Sequence, residues 1–203
     1  TGAGRTFCAG GDMDWFQAMI DDTSKFRDIT TDAKRIINSL LEMEKPIVCR
    51  LNGAAAGLGA SIALLCDVIV ADERALIGDP HVKVGLVAGD GGAIIWPQLI
   101  GFARAKEMLL TGEMLRGSEA AAMGLVNYAV PAEELDAKVD EMVGKILANP
   151  RWTKTAINLV LRDISNKVTE TALAYEVNSN ATKDRQEAIN AFIEKRPPNY
   201  TGE

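Results

Sequence analysis

The chain has 203 residues, of which 47% are hydrophobic and 25% are charged, and this balance is typical of a globular protein rather than a disordered one. The net charge of −6 argues against a broad basic face for nucleic acid, although a local Lys/Arg cluster can still hold an anionic ligand. Apolar runs around residues 62–70 are interrupted by Cys66 and Asp67, so no run is long enough to span a membrane.

The cysteines indicate the redox compartment of the protein, and the first residues indicate where the sequence begins. Cys8, Cys49 and Cys66 are an odd number without metal-ligand spacing, and the chain has a single histidine. We therefore expect reduced thiols in a cytoplasmic protein, packed as small buried hydrophobes. The opening T-G-A-G-R lacks an initiator Met and a secretory pattern, so we expect that the sequence begins partway through a longer chain.

The first half of the chain alternates between strand and helix patterns. F-C-A-G-G-D-M at 7–13 is a strand-like entry into glycines, with a helix expected from near Asp12. Residues 47–51 predict a strand, which is followed by a Gly/Ala turn, a helix over 60–65 and a strand over 68–71. This alternation indicates an α/β fold.

The second half becomes mainly helical. We predict a helix over 103–110 that ends at Gly112, a helix with Ser118 as its N-cap and Gly124 as its stop, and a strand over 125–130. From residue 131 to about 192 the pattern is helical, with breaks near 149–150 and 166. We therefore divide the chain into an α/β core over 1–135 and a helical region over 136–203.

Two glycine-rich loops are the candidates for chemistry. N-G-A-A-A-G-L-G-A-S at 52–61 leads from a strand into a helix, so its backbone amides can meet an anion at the positive end of the helix dipole. A phosphate-binding loop is one interpretation, but Gly57 and Gly59 lack the third glycine of the nucleotide motif. The other interpretation is an oxyanion hole, to which the loop at 7–13 adds the second amide. Either loop alone is more often only a turn.

Long segments of the chain resemble the crotonase superfamily, the enoyl-CoA hydratase/isomerase proteins. The resemblance covers essentially the whole chain in the order of the family, without the N-terminal strand-and-helix segment of the family. It is carried by R-T-F-C-A-G-G-D-M, K-P-I-V-C-R-L-N-G-A-A-A-G-L-G-A-S-I-A-L-L-C-D-V-I-V-A, G-D-P-H-V-K-V-G-L-V-A-G-D-G-G, L-T-G-E-M-L-R-G-S-E-A-A-A-M-G-L-V-N-Y-A-V-P and D-R-Q-E-A-I-N-A-F-I-E-K-R-P-P-N-Y.

The resemblance implies a fold, a substrate and an assembly. The fold is a spiral of strand-strand-helix turns with a C-terminal helical domain that contributes to oligomer and CoA contacts. The implied substrate is an acyl-CoA thioester of fatty acid metabolism, with coenzyme A as its carrier part and with no tightly bound cofactor or metal. The implied protein is a cytoplasmic homotrimer or homohexamer. The acidic net charge and the short apolar runs argue against a nucleic-acid or membrane partner.

The resemblance also assigns roles to the two loops and to the C-terminal stretch. The oxyanion amides would be those of Gly11 and of Leu58, where the family usually has glycine. The implied contacts to coenzyme A come from Arg5, Ala9, Gly10, Asp12, Gly57, Phe192 and Lys195. For Arg5 and Lys195 the alternative is an exposed charge, and for Phe192 it is a packed aromatic ring.

The chain departs from the family at the two glutamates of its typical hydratases, where Ser61 and His81 stand. Ser61 is favoured as a small residue that lines the pocket over a proton relay. His81 lies in a Gly/Asp/Pro loop, and an ordinary pKa of about 6.5 suits proton transfer near neutrality; the alternative is a structural histidine. Asp90 can orient His81, act as the base or cap the helix near residue 91, with capping favoured. Asp79 is a further carboxylate of the loop that also suits a turn.

Three further residues are weaker candidates for the acyl pocket. Trp15 and Phe16 begin the helix after the first loop and either wall the pocket or pack in the core, with core packing favoured for at least one of them. Glu113 corresponds to a position that lies near the acyl end in some family members.

Two functions remain open. The first is an acyl-CoA enzyme that works through an enolate, by hydration, isomerisation, hydrolysis or C–C cleavage, with His81 in place of the usual glutamate. The second is a crotonase-fold protein that binds acyl-CoA or serves in assembly, with little hydratase activity. RNA binding, known for some relatives, finds little support in an acidic chain.

Overall fold

The computed structural model describes residues 1–12, 15, 18, 22–150 and 169–201. Within this part the strands are β1 (Thr6–Cys8), β2 (Val48–Leu51), β3 (Ala54–Ala56), β4 (Val68–Asp72), β5 (Leu76–Gly78), β6 (Met114–Arg116) and β7 (Tyr128–Val130). The α-helices are α1 (Thr23–Leu41), α2 (Leu58–Leu64), α3 (Gly92–Thr111), α4 (Gly117–Met123), α5 (Leu135–Leu147), α6 (Thr169–Asn180) and α7 (Lys183–Glu194). Short 3-10 helices cover Pro80–Val84 and Ala132–Glu134.

The strands form two sheets, and most consecutive strands go to alternate sheets. One sheet has the order β1-β3-β5-β6 and the other the order β2-β4-β7. All pairings are parallel except that of β5 with β6. Because β2 and β3 are separated only by Asn52 and Gly53, the chain turns a corner from one sheet to the other there and then enters α2. This strand-strand-helix turn is the repeat of the spiral.

The hydrophobic core lies between the two sheets and the first helices. α1 contributes side chains four residues apart, Ala33, Ile37 and Leu41, which is the spacing of one helical face. α2 is built from small residues, and Ala60 and Ala63 are completely buried. Their size allows the helix backbone to lie close to the strands, which places the beginning of α2 beside the first loop.

Two predicted helix ends agree with the structure because a glycine closes each helix. Gly112 and Gly124 close α3 and α4 in the left-handed conformation, with φ of 62° and 84°. The range of α3 begins at Gly92, but Gly101 has φ of 76° and ψ of 160°, which are not helical angles, so a kink there divides the range into two helical segments. The predicted helix over 103–110 lies in the second segment.

The predicted N-cap Ser118 is wrong, and the cap is Arg116. The carbonyl oxygens of Ala75 and Glu73 accept hydrogen bonds from the amides of Gly117 and Ser118. Because neighbouring backbone satisfies these first amides, the helix begins without a serine cap.

The C-terminal helices pack on the α/β body rather than apart from it. α5 packs on β2 and β4, α6 on α1, and α7 on the 3-10 helix Pro80–Val84. The helical pattern did not predict the break between α6 and α7, where the Thr182 hydroxyl accepts from the amide of Arg185 at 3.2 Å and caps α7. The predicted break at residue 166 lies outside the described residues.

Two other predictions concern the burial of the cysteines and the absence of a membrane-spanning run. Cys49 is buried, whereas Cys8 and Cys66 are half-buried, so only one of the three is a fully buried small hydrophobe. None of the helices in the described ranges combines the length and the apolar run needed to cross a lipid bilayer.

Candidate active site

The two glycine-rich loops lie against each other. Gly10 has φ of 85°, and a Cβ atom on it would lie 2.6 Å from the carbonyl oxygen of Ala56 and 3.8 Å from the amide nitrogen of Leu58. Only glycine allows this approach. Leu58 is the first residue of α2, so its amide has no carbonyl partner inside the helix. The Leu58 amide is therefore a backbone hydrogen-bond donor at the place where the two loops meet.

A cavity of about 540 Å³ opens at this junction. Its apolar walls include Ile29, Ala33, Val84, Leu86 and Phe192. The ionisable side chains that line it are Asp12, His81, Asp90 and Glu176. An apolar pocket with a few converging polar groups is the usual form of a small-molecule site.

The 3-10 helix Pro80–Val84 holds His81 in place. Asp79 is its N-cap, and its carboxylate bonds the His81 backbone amide at 3.4 Å and the ring nitrogen Nδ1. Gly57 has φ of 54°, and a Cβ atom there would lie 3.1 Å from Cε1 of the ring. The imidazole therefore lies directly over the second glycine loop, where a larger residue would push it away.

Asp90 joins His81 to Ser61. One carboxylate oxygen lies 3.3 Å from His81 Nε2, and the other accepts a hydrogen bond of 3.3 Å from the Ser61 hydroxyl. The expectation that Asp90 only caps the next helix is wrong, because the N-cap of α3 is Gly91 and has no side-chain cap. With φ of 131° at Gly91, the chain turns so that Asp90 faces the cavity.

The charges around His81 determine its protonation. Burial alone lowers the pKa of His81, but the charges of Asp90 and Asp79 and hydrogen bonds to both carboxylates outweigh burial and raise it well above 6.5. The ring is therefore an imidazolium at neutral pH, unlike the half-ionised group that an ordinary pKa suggests.

The same three side chains have the composition of a metal site. Ligand-type atoms of Asp79, His81 and Asp90 lie within 4.8 Å of one another. The imidazolium already lies between the carboxylates and supplies the positive charge that they require.

Glu176 is the site residue that the sequence did not reveal. α6 places it in the cavity wall, where it is 7% exposed. Burial, followed by the charge of Asp90, raises its pKa to about 8, against an opposing effect of His81. The sequence does contain one signal for Glu176. Leu173, Glu176 and Asn180 have the spacing of one helical face, and all three are buried, so this face carries polar residues inward.

The other predicted site residues divide into two groups. Ala9, Gly10, Gly11, Asp12, Trp15, Gly57, Leu58 and Phe192 line the cavity together with His81 and Asp90. Arg5, Glu113 and Lys195 are exposed and outside its lining, and Ser61 is fully buried behind Asp90. Phe16 lies outside the described residues.

Comparisons with known proteins place the whole chain in one family. The family model for enoyl-CoA hydratase/isomerase matches residues 1–203. A crotonyl-CoA hydratase of Syntrophomonas wolfei is 34% identical over 98% of this chain and 78% of its own length. A 1,2-epoxyphenylacetyl-CoA isomerase of Escherichia coli is 30% identical over 100% of this chain and 79% of its own.

A solved structure agrees with these sequence matches. The crystal structure of an enoyl-CoA hydratase from Mycobacterium avium subsp. paratuberculosis superposes with a TM-score of 0.84 and 30% identity, over 98% of this chain and 77% of the other. The chain therefore belongs to the enoyl-CoA hydratase/isomerase family and has its crotonase fold.

Proposed function

We propose that the cavity is the active site of an enoyl-CoA hydratase or isomerase in which Asp90 is the base and His81 is the acid. The contact of Asp90 with His81 Nε2 at the cavity wall carries this assignment. The family membership supports an acyl-CoA thioester as the substrate.

The two loops supply the electrostatic part of the reaction. The amides of Gly11 and Leu58 hold the thioester oxygen, and their dipoles stabilise the negative charge that develops there as an enolate forms. An amide donates whatever its side chain is, so leucine at position 58 changes the pocket shape and keeps the donor.

Asp90 and His81 move the protons. In hydration, Asp90 takes a proton from water while the water oxygen bonds to the β-carbon and the electrons of the double bond pass to the enolate. His81 then donates its proton to the α-carbon, and the proton on Asp90 returns the imidazole to its charged form. In isomerisation, Asp90 removes a proton from one carbon and the pair returns a proton to another.

The remaining residues have supporting roles. Asp79 keeps His81 charged and oriented, and Ser61 holds the second oxygen of Asp90. Phe192, Ala9, Gly10, Asp12 and Gly57 contact the thioester and its pantetheine arm. Arg5 and Lys195 meet the nucleotide end of coenzyme A outside the cavity. The chemistry needs no further cofactor, since the chain provides the acid, the base and the oxyanion amides.

We also propose that the chain assembles as a cytoplasmic homotrimer or homohexamer. On α3, Phe102 and Leu110 are 73% and 72% exposed, and a partner subunit packed on this helix would bury both. Light scattering after size-exclusion chromatography tests the assembly.

Exchange of the α-protons of butyryl-CoA in D₂O tests the proposed chemistry without knowledge of the natural acyl group. We expect exchange by the wild type and a loss of roughly a hundredfold or more in Asp90→Asn and His81→Gln, the typical range for a general acid or base. Asp140→Asn, on the exposed side of α5, is the matched control.

Product analysis of an enoyl-CoA panel by mass spectrometry then separates hydration from isomerisation. Tight binding of thioesters without exchange or turnover would refute the mechanism and favour the binding-protein hypothesis.

A further inference from the structure

Glu176 is a buried carboxyl group that the proposed chemistry does not use. It is 7% exposed, lines the cavity and has an Oε2 atom without a hydrogen-bond partner among the described residues. An unpaired polar atom inside a protein is unfavourable. Its place in the cavity wall indicates that a ligand provides the partner.

The charges near Glu176 favour its neutral form. Asp90 and Asp79 raise the pKa of Glu176, while His81 and the buried guanidinium of Arg185 lower it. Burial first, and the two aspartates next, keep its pKa at about 8. A protonated carboxyl group donates one hydrogen bond.

Much of the cavity that Glu176 lines is apolar. Val84, Leu86 and Phe192 line the same space and have apolar side chains. A hydrocarbon chain that filled it would displace water and leave the carboxyl group unpaired, whereas a ligand with an acceptor oxygen would restore the hydrogen bond.

We propose that Glu176 determines specificity by donating a hydrogen bond to an oxygen of the acyl chain, so that the preferred substrates are CoA thioesters with a keto group or similar acceptor beyond the reacting carbons. This inference rests on the proposed function, which puts the acyl chain in the cavity. In the proposed function His81 and Asp90 act at the α- and β-carbons. Glu176 lies on a different element, α6, in the C-terminal part of the chain.

Calorimetric binding of matched saturated thioesters tests the proposal without turnover. The probes are 4-oxopentanoyl-CoA against pentanoyl-CoA, and 5-oxohexanoyl-CoA against hexanoyl-CoA. A ketone only accepts hydrogen bonds, so at pH 6.5 the wild type should bind one keto thioester roughly tenfold to a hundredfold tighter than its partner. The preference should shrink above about pH 8, where Glu176 ionises.

Two variants separate a donor from a structural residue. Glu176→Leu should lose the preference, because it has no polar atom. Glu176→Gln should keep it at every pH, because the amide donates without ionising. Thermal melts verify that each variant is folded. If the leucine variant does not fold, the glutamine variant and the wild-type pH dependence still decide the question.

Each outcome has one meaning. Equal wild-type affinities for both members of both pairs, a preference that survives in a folded Glu176→Leu, or a Glu176→Gln that loses its preference with pH as the wild type does would overturn the role of Glu176. A preference that behaves as expected without any α-proton exchange would support Glu176 and refute the catalytic function. Exchange of the α-protons without a preference for keto thioesters would support the catalytic function and refute the role of Glu176.

Discussion

The Glu176→Gln substitution should change how the stability of the fold depends on pH. In the folded protein the pKa of Glu176 is raised from 4.5 to about 8, chiefly by burial. Between these values the folded state binds a proton that the unfolded state has released. Stability therefore falls as pH rises from 4.5 towards 8, and glutamine removes this dependence.

The magnitude follows from the two pKa values. From pH 6 to pH 8 the extra proton bound by the folded state falls from nearly one to about one half, and integration gives a loss of about 2 kcal/mol for the wild type. For a domain of this size that corresponds to a shift in Tm of roughly 4–8 °C. The raised pKa of His81 adds a further loss of stability above pH 6.5, with the same sign, in both proteins.

Thermal melts from pH 5.5 to 8.5 measure the effect. The Tm of the wild type should fall relative to that of Glu176→Gln as pH rises, while Asp140→Asn, an exposed carboxylate on α5, should run parallel to the wild type. Parallel curves for the wild type and Glu176→Gln would show that Glu176 is already ionised in the folded state, and the argument from burial would be wrong.

Three further changes test the rest of the site and the fold. Asp79→Asn removes one of the charges that raise the pKa of His81, so the alkaline limb of the kcat/KM profile should move towards lower pH; an unmoved limb would contradict the assignment of His81 as the acid. Gly57→Ala puts a side chain at φ of 54° and 3.1 Å from the His81 ring, so we expect a loss of about 1–3 kcal/mol in melts and a lower kcat, and wild-type values for both would refute it. Arg50→Gln breaks the ion pair with Asp136, and chemical denaturation should show a change of no more than about 1 kcal/mol because the aspartate is exposed; a larger loss would show that the pair anchors α5.

The sequence by itself determined the family, the two glycine-rich loops and the candidate role of His81. The strand-loop-helix pattern around Gly57 and the glycines near Gly10 predict two backbone turns because only glycine tolerates those angles. Gly112 and Gly124 mark helix ends for the same local reason. His81 could be singled out because it is the only histidine of the chain and stands in a Gly/Asp/Pro loop. Features of this kind depend on a few neighbouring residues, so the sequence alone contains them.

The tertiary structure decided what those residues can do. Asp90 reads as a helix cap in the sequence, and only the packing of α3 against α2 turns its carboxylate towards His81 and Ser61. The pKa of His81 depends on charges that the fold brings together. Glu176 comes from a distant helix, α6, and only the fold places it in the cavity wall. Burial and long-range electrostatics depend on the three-dimensional distances between segments, and these distances are set by the fold as a whole rather than by local sequence.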